Sequence, residues 1–199
     1  MYMFFSDFKL TFNEECSRFL QDLYKSKKNI LEYGSGGSTL LAAKHNCNVV
    51  TTETDHKWLI ELLGAAKEQD FPGNIVPIWA DVGATKMWGY PIDESNIKKW
   101  PEYSKKSWKF CSENSYIPDI IMIDGRFRVA TFLSSCINIT KETILIFDDY
   151  TDRKHYHHVE NFFKPTDIVS NRMAIFNIYP GKVDAKYIID NIDFYFDPR

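Results

Sequence analysis

The stretch ILEYGSGGSTL (residues 30–40) decides the fold of this chain. An apolar run ends at the carboxylate of Glu32, and three glycines and three small hydroxyl side chains follow it. Gly34 and Gly36 allow the backbone to turn sharply and to approach a ligand closely, and a helix then starts at Ser38 or Thr39. Open parallel sheets bind ligands at the carboxyl ends of their strands. The stretch therefore predicts a strand, a glycine turn with a ligand site, and a helix.

The rest of the chain alternates short apolar runs with helical patterns, which is typical of a parallel α/β sheet. Helices are predicted at residues 16–26, 38–45 and 55–69. Five strands are predicted at residues 29–33, 47–53, 73–81, 119–124 and 142–149. Pro77 favours an edge position for the third strand, and Asp55 is a plausible helix N-cap. Residues 167–170 and 173–179 flank a turn at Asn171 and Arg172 and predict an antiparallel hairpin.

The predicted fold class is therefore α/β: a Rossmann-like, doubly wound, mainly parallel seven-stranded sheet with an antiparallel C-terminal hairpin. The 199 residues are 44% hydrophobic, which favours a single domain over residues 1–199. The formal charge is −3 and no dense basic block occurs, so we expect a small-molecule partner and no nucleic acid. The sequence leaves open whether the chain forms a homo-oligomer.

The N-terminal stretch MYMFFSDFKL is not expected to be a signal peptide, because Asp7 and Lys9 interrupt its apolar residues. No later stretch approaches the ~20 apolar residues of a membrane span. The cysteines show no metal-type spacing and are expected to be reduced: Cys16, Cys47, Cys111 and Cys136. These features predict a soluble, cytoplasmic protein without a membrane partner.

Residues 84–116 interrupt the alternation between the third and fourth strands. They hold six lysines and three of the five tryptophans, Trp88, Trp100 and Trp108. A connection this long usually has a function. Two interpretations remain open: an aromatic and basic lid over a substrate cleft, or a helix that packs on the sheet edge.

A second carboxylate, Glu53, ends the second strand 21 residues after Glu32, where it could accept hydrogen bonds from two ribose hydroxyls. The pair predicts a nucleoside site. A dinucleotide fingerprint would need a third glycine where Thr39 stands, and Glu32 would repel a pyrophosphate. S-adenosylmethionine fits better, because its α-ammonium group could be attracted by Glu32 directly or through water.

Five motifs resemble those of the class I S-adenosylmethionine-dependent methyltransferases, in the family's order over residues 28–180. They are LEYGSGGSTL (31–40), VVTTETD (49–55), IWADVG (78–83), DIIMIDG (119–125) and ILIFDDY (144–150). The resemblance implies that the cofactor's methionine part is lined by Glu32, Gly34, Ser35, Gly36 and Ser38, its ribose by Glu53 and its adenine amino group by Asp81. Residues 118–133 and 148–163 also resemble a bacterial group of methyltransferase-like proteins whose substrates are undefined.

Carboxylates at the ends of the fourth and fifth strands are the candidates for catalysis and metal binding. Asp124, Asp148 and Asp149 form a set that Mg²⁺ favours, and metal-dependent O-methyltransferases have acidic ligands at comparable strand ends. Arg126 and Arg128 would weaken such a site, or would bind a carboxylate or phosphate of a substrate. We expect Asp124 or Asp149 to accept a proton or to hold an ion, and Arg126 to orient the acceptor.

Three histidines at positions 155, 157 and 158 do not share one helix face, so a three-histidine metal site is not expected. One of them could act as a general base, although exposed helix histidines are the commoner case. The sequence thus predicts an S-adenosylmethionine-dependent O-methyltransferase that acts on a small polar or sugar-like acceptor. The alternatives are a nicotinamide-dependent oxidoreductase and a non-catalytic protein that binds S-adenosylmethionine.

Overall fold

A computed structural model of the chain describes residues 8–199. Most of the N-terminal stretch MYMFFSDFKL lies outside the described residues. The helices are α1 (Glu14–Ser26), α2 (Gly37–Lys44), α3 (His56–Glu68), α4 (Glu102–Glu113), α5 (Arg128–Asn138) and α6 (Ala185–Asp190). The strands are β1 (Asn29–Tyr33), β2 (Asn48–Glu53), β3 (Asn74–Trp79), β4 (Thr85–Lys86), β5 (Tyr90–Pro91), β6 (Ile120–Ile123), β7 (Thr143–Phe147), β8 (Asp167–Val169) and β9 (Met173–Ile178).

Seven strands form one sheet in the order β3-β2-β1-β6-β7-β9-β8. The first five in this order are parallel, whereas β9 pairs antiparallel with both β7 and β8. This sheet confirms the predicted doubly wound fold with an antiparallel C-terminal hairpin. The chain runs outward from β1 to β3 and then returns to the other side of β1 at β6. The switch point between β1 and β6 is where such sheets bind ligands.

Alternate residues of the central strands pack into two different cores. Leu31 and Ile121 belong to a core with residues of α4 and α5, whereas Ile30 and Ile120 pack with residues of α1 and α2. Both sets are fully buried. Because helices cover both faces, the strands need apolar residues at every position, which explains their nearly continuous hydrophobic runs.

Local signals in the sequence set several element boundaries. The Asp55 side chain accepts hydrogen bonds from the backbone N–H groups of Lys57 and Trp58 and caps α3 as predicted. Pro77 lies in β3, which forms one edge of the sheet. The turn between β8 and β9 starts one residue earlier than expected, since Ser170 and Asn171 both have positive φ angles, of 53° and 51°.

Residues 84–116 divide into two parts. The first part is a short antiparallel hairpin of β4 and β5, joined by a 3₁₀ turn at Met87–Gly89. The second part contains α4, whose Trp108 packs with Trp100 in the main core against α5 and β2. Trp88, at the tip of the hairpin, is instead 77% exposed.

Within residues 8–199, no helix is long and apolar enough to cross a membrane. All four cysteines are buried and none forms a disulfide with another described residue.

Candidate active site

A cleft of about 430 Å³ opens at the switch point, where β1, β2 and β6 end. We call it the first cleft. It is lined by the glycine turn after β1 (residues 34–38), by Glu53 at the end of β2, by residues 9–12, by Met87–Gly89 and by Asp124–Arg126 after β6. The structure therefore brings the glycine turn and Glu53 together, as the sequence predicted, together with segments that the sequence did not assign to this site.

The turn after β1 needs glycine at position 34 for two reasons. Gly34 has a φ angle of +95°, in the region that side chains disfavour. A Cβ atom built there would also lie 2.6 Å from the backbone nitrogen of Gly125. The strand ends of β1 and β6 thus approach each other without side chains between them, and their backbones form the floor of the first cleft.

Glu32 lies behind the turn and not in the cleft. It is 1% exposed, and its two carboxylate oxygens accept hydrogen bonds from the hydroxyls of Ser38, Thr39 and Thr51. Burial raises the pKa of Glu32 to about 7, although the three hydroxyl donors act in the opposite direction. This differs from a direct contact between Glu32 and an ammonium group, one of the two predicted forms of that attraction: the carboxylate bonds the start of α2 instead.

Glu53 faces the first cleft and ties β2 to the glycine turn. One carboxylate oxygen accepts hydrogen bonds from the backbone N–H groups of Thr54 (2.6 Å) and Asp55 (3.0 Å) and from the Thr54 hydroxyl. Among residues 8–199, the other oxygen accepts a hydrogen bond only from the backbone N–H of Ser35, at 3.2 Å. Burial raises the pKa of Glu53, while these donors lower it. The second oxygen therefore keeps capacity for a ligand hydroxyl.

Asp81 does not line the first cleft. Its carboxylate accepts a hydrogen bond from the backbone N–H of Gly83 and forms an ion pair with Lys99, at 2.7 Å. The Lys99 hydrogen bond, followed by that from Gly83, lowers the pKa of Asp81. The position differs from the predicted contact with an adenine amino group, because the side chain is used to cap a turn.

The tip of the β4–β5 hairpin covers the Glu53 side of the cleft. The Gly89 carbonyl accepts a hydrogen bond from the Thr54 hydroxyl at 2.8 Å. Trp88, next to Gly89, has a φ angle of 64°, which is unusual for a tryptophan. On the other side, the Trp58 indole N–H donates to the Ser35 carbonyl at 2.7 Å and braces the glycine turn. Aromatic side chains from two segments thus border the cleft.

A second cleft, of about 710 Å³, adjoins the first. The two share Thr11, Met87, Trp88, Asp124 and Arg126, which we call the neck. The second cleft is otherwise lined by Lys86, Tyr90, Arg128, Asp149, Arg153 and Arg172. This connection gives a site with two compartments, of which Asp124 and Arg126 border both.

The three predicted catalytic and metal-binding carboxylates do lie together, at the ends of β6 and β7. Ligand atoms of Asp124, Asp148 and Asp149 all lie within 4.8 Å of one another. Three guanidinium groups surround them, and we call the six residues the aspartate–arginine cluster; its arginines are Arg128, Arg153 and Arg172.

The arginines satisfy the carboxylates of this cluster. Arg172 holds both oxygens of the buried Asp148, and one oxygen of Asp149 lies 2.7 Å from Arg153. Arg128, which is 2% exposed, bonds Asp124 at 3.1 Å. Each of the three carboxylates is thus bonded to at least one guanidinium, and a divalent cation would have to displace arginines that are already bonded. The residues do not fit the predicted Mg²⁺ site.

Asp124 is the carboxylate of this cluster that borders both clefts. Burial raises its pKa to about 8; the Arg128 guanidinium lowers it, and the Asp148 and Asp149 carboxylates raise it again. One Asp124 oxygen bonds Arg128. A carboxylate with this pKa in a cleft is a candidate general base.

None of the three histidines lines either cleft. They lie on a 3₁₀ helix, Lys154–Asn161, where His155 is exposed. His157 bonds the Tyr150 carbonyl at 3.2 Å, and His158 bonds the Asn191 amide oxygen at 2.6 Å. The commoner interpretation, histidines on a helix surface, therefore describes them.

Sequence reasoning missed Arg153 and Arg172 as parts of the site. Arg172 belongs to the β8–β9 turn, and it reaches Asp148 only because β9 inserts beside β7. The sequence predicted the hairpin itself. It did not predict the position of the hairpin in the sheet, and that position determines which strand end lies next to the β8–β9 turn. For Arg153 the sequence offered only a weak indication, namely that this cation follows Asp149 by four residues.

The fold is that of the class I S-adenosylmethionine-dependent methyltransferases, and the chain belongs to that superfamily. It is similar to a methyltransferase-like protein of Silicibacter pomeroyi DSS-3, with 31% identity, 96% of this chain and 98% of that chain covered, and a TM-score of 0.88. The chain matches no protein-family model, and no curated protein matches it either.

Two more distant structures share the fold. An O-methyltransferase from Bacillus cereus in complex with S-adenosylhomocysteine has 18% identity and a TM-score of 0.55, with 83% of this chain and 80% of that chain covered. An O-methyltransferase from Streptomyces achromogenes, involved in tomaymycin synthesis and solved with S-adenosylmethionine, has 11% identity and a TM-score of 0.59, with 86% and 82% covered.

Proposed function

We propose that this protein binds S-adenosylmethionine in the first cleft and methylates a hydroxyl oxygen of a small polar acceptor in the second. The observation that carries the proposal is the neck, where Asp124 and Arg126 border both clefts. A group-transfer enzyme needs two ligands to meet at one point, and positioning of that kind accounts for much of a transfer rate. Membership of the methyltransferase superfamily supports the choice of reaction.

The residues of the first cleft fit the cofactor. The close contact between the Gly34 and Gly125 backbones leaves a floor that a ligand can approach, and Glu53 offers one carboxylate oxygen to a ribose hydroxyl. Ser35, Gly36 and Ser38 would line the methionine end, and Trp58 and Trp88 would border the ligand. Glu32 would act indirectly, by fixing the start of α2.

When bound, S-adenosylmethionine supplies an electrophilic methyl group on a positively charged sulfur. Asp124 would accept the proton of the acceptor hydroxyl at the neck, and Arg126 would orient the acceptor. Asp149 would act as a positioning residue, because its oxygens already bond Arg153 and Arg172. General-base assistance of this kind contributes roughly 10²- to 10⁴-fold to a rate.

The two alternatives have less support. A nicotinamide-dependent oxidoreductase would place a pyrophosphate over the glycine turn, where the third glycine is replaced by Thr39, whose hydroxyl bonds Glu32. A non-catalytic protein that binds the cofactor would have no need of a second cleft that opens on the same neck. The comparisons support neither alternative.

Calorimetric titration of the purified protein with S-adenosylmethionine, S-adenosylhomocysteine and NAD tests the cofactor. We expect micromolar binding of the first two, no binding of NAD, and a loss of at least tenfold in affinity in Glu53→Ala. Glu61→Ala, which removes an exposed carboxylate of α3, is the matched control and should bind normally. Thermal unfolding of each variant shows whether the fold is kept. Absence of binding by the wild-type protein would overturn the proposal.

Turnover tests the assigned roles. With an acceptor found by measuring S-adenosylhomocysteine release, Asp124→Asn is expected to lower kcat at least 100-fold while cofactor affinity stays within a few fold. Asp149→Asn is expected to raise KM more than it lowers kcat. Full turnover by Asp124→Asn would remove Asp124 from the mechanism.

A further inference from the structure

Two cations of the second cleft lie outside the aspartate–arginine cluster. Each of the cluster's three carboxylates is bonded to at least one of its three guanidiniums, as described above. Lys86 and Arg126 also line the second cleft, and neither forms an ion pair with any carboxylate of residues 8–199. The second cleft therefore has an excess of positive charge that the described protein does not neutralise.

The same two cations both contact one aromatic ring. The Lys86 Nζ lies 4.8 Å from the centroid of the Tyr90 ring, and the Arg126 guanidinium carbon lies 5.9 Å from it. The π face of a tyrosine attracts cations, so Tyr90 is a neighbour that Lys86 and Arg126 share in the wall of the second cleft. Two cations that line one cleft and have no carboxylate partner among residues 8–199 make the potential in that cleft more positive, which favours a bound anion.

Arg126 also has an unsatisfied donor. Its Nε is buried and has no hydrogen-bond partner among the described residues. A buried donor without an acceptor costs free energy, so such groups are few in native proteins, and one that belongs to a cleft-lining residue is available to a ligand acceptor. The planar guanidinium presents its N–H groups in a geometry that matches the oxygens of a carboxylate or phosphate.

We propose that Lys86 and Arg126 form an anion-binding subsite, so that the methyl acceptor is a hydroxyl compound that carries a carboxylate or phosphate group. This inference rests on the proposed function. The acceptor's anionic group would lie between Arg126 and Lys86 in the second cleft. Its hydroxyl would reach Asp124, which precedes Arg126 by two residues and borders the first cleft. A neutral sugar would leave both cations without a partner.

The acidic residues of the second cleft do not oppose this assignment. Asp124 and Asp149 would repel an anion if they were free, but both are bonded to guanidinium groups of the aspartate–arginine cluster. The electrostatic field near Lys86 and Arg126 is therefore set by these two cations, which have no ion-pair partner among residues 8–199. Lys86 is exposed on the β4–β5 hairpin, so its substitution should leave the core intact.

Titration with two anions tests the subsite, at constant ionic strength and both with and without saturating S-adenosylhomocysteine. The probes are inorganic phosphate and benzoate, and benzyl alcohol serves as the uncharged counterpart of benzoate. We expect one of the two anions to bind the wild-type protein at least tenfold more tightly than Lys86→Gln and Arg126→Gln. Lys86→Arg should retain most of the affinity. Lys67→Gln makes the same change of net charge on an exposed part of α3 and should bind as the wild type does.

The outcomes separate the two proposals. If phosphate binds and benzoate does not, the subsite is assigned to a phosphate group, and the converse assigns it to a carboxylate. Three results would overturn the anion subsite. Neither anion binds, benzyl alcohol binds as tightly as benzoate, or Lys86→Gln and Lys67→Gln lose anion affinity to the same extent. Normal binding of S-adenosylhomocysteine in the same samples would leave the proposed function standing. Its absence would remove the proposed function and, with it, the identification of the bound anion as part of a methyl acceptor, while the anion site itself would be decided by the phosphate and benzoate titrations.

Discussion

Arg172 holds the carboxylate of Asp148 by two hydrogen bonds, from Nε at 2.8 Å and from a terminal nitrogen at 2.7 Å. Asp148 is fully buried at the end of β7, and Arg172 comes from the β8–β9 turn. The pair therefore fastens the antiparallel hairpin to the parallel part of the sheet. The same guanidinium bonds Asp149 at 3.0 Å, so it also holds one wall of the second cleft.

Removing one partner of this pair should destabilise the protein strongly. Arg172→Met leaves the Asp148 carboxylate buried without its partner, which typically costs about 3–5 kcal/mol of folding free energy. Asp148→Asn should cost less, because the amide is neutral. The double variant should lose less than the sum of the two single variants. Urea unfolding of all four proteins measures the coupling, and strict additivity would show that the pair does not act as a unit.

The raised pKa of Glu32 gives stability a specific pH dependence. The folded protein keeps a proton on Glu32 up to about pH 7, whereas the unfolded chain loses it near pH 4.5. The stabilisation is therefore fully present below pH 4.5 and is lost as pH rises through 7, by roughly 3 kcal/mol in all. The Glu32→Gln variant has a neutral amide at this position at every pH, so its free energy of unfolding should fall less than that of the wild type between pH 4.5 and 7.

Urea unfolding at intervals from pH 4.5 to 8 checks this slope. The matched control is Glu68→Gln, at an exposed position of α3, which should keep the wild-type pH dependence. If Glu32→Gln and the wild type lose stability in parallel, the buried carboxylate is not the group responsible.

Gly34 and Gly64 provide a matched pair of glycine substitutions. Gly34→Ala forces a side chain into a φ of +95° and against Gly125, so it should cost about 2 kcal/mol or more and weaken S-adenosylhomocysteine binding at least tenfold. Gly64 lies within α3, and a Cβ there would meet no other atom. Gly64→Ala should therefore stabilise the protein by about 0.5–1 kcal/mol and leave binding unchanged. Thermal unfolding and calorimetry test both variants, and equal effects would contradict the assigned role of the turn.

Local sequence signals predicted most of the sheet. The run NILEY predicted β1 with its observed bounds, because Ile30, Leu31 and Tyr33 suit a strand that is buried on both faces and the glycine turn follows directly. Asp55 predicted the start of α3, since a side-chain cap acts over two or three residues. The C-terminal hairpin was also predictable, although its turn begins at Ser170.

The candidate site was less predictable, because it depends on which strand ends meet and on where side chains point. Glu32 and Glu53 end adjacent strands, yet only Glu53 faces the cleft, while Glu32 is taken up by the hydroxyls of α2 and β2. The three aspartates were grouped correctly, but the arginines that neutralise them come from the following segments and from the C-terminal hairpin. The contact that Lys86 and Arg126 share with Tyr90 depends on the β4–β5 hairpin, which carried no strong sequence signal.

The raised pKa of Asp124 predicts a pH dependence of turnover. A general base must be deprotonated before it can accept the acceptor's proton, so kcat/KM should rise tenfold per pH unit below about pH 8 and level off above it. The titration belongs to the coupled carboxylates of the aspartate–arginine cluster, and Asp124 borders the clefts. Asp124→Asn should lack this rise as well as most of the activity.

A rate that rises with pH could also report ionisation of the acceptor hydroxyl itself. Two acceptors whose hydroxyl groups differ in pKa by about 2 units separate the two causes, since that gap is well above the ~1-unit scatter that protein environments impose. If Asp124 is the base, both acceptors give the same midpoint near pH 8. A midpoint that moves with the acceptor would show that the neck binds an already ionised hydroxyl, in which case Arg126 and not Asp124 would carry the larger part of the rate effect.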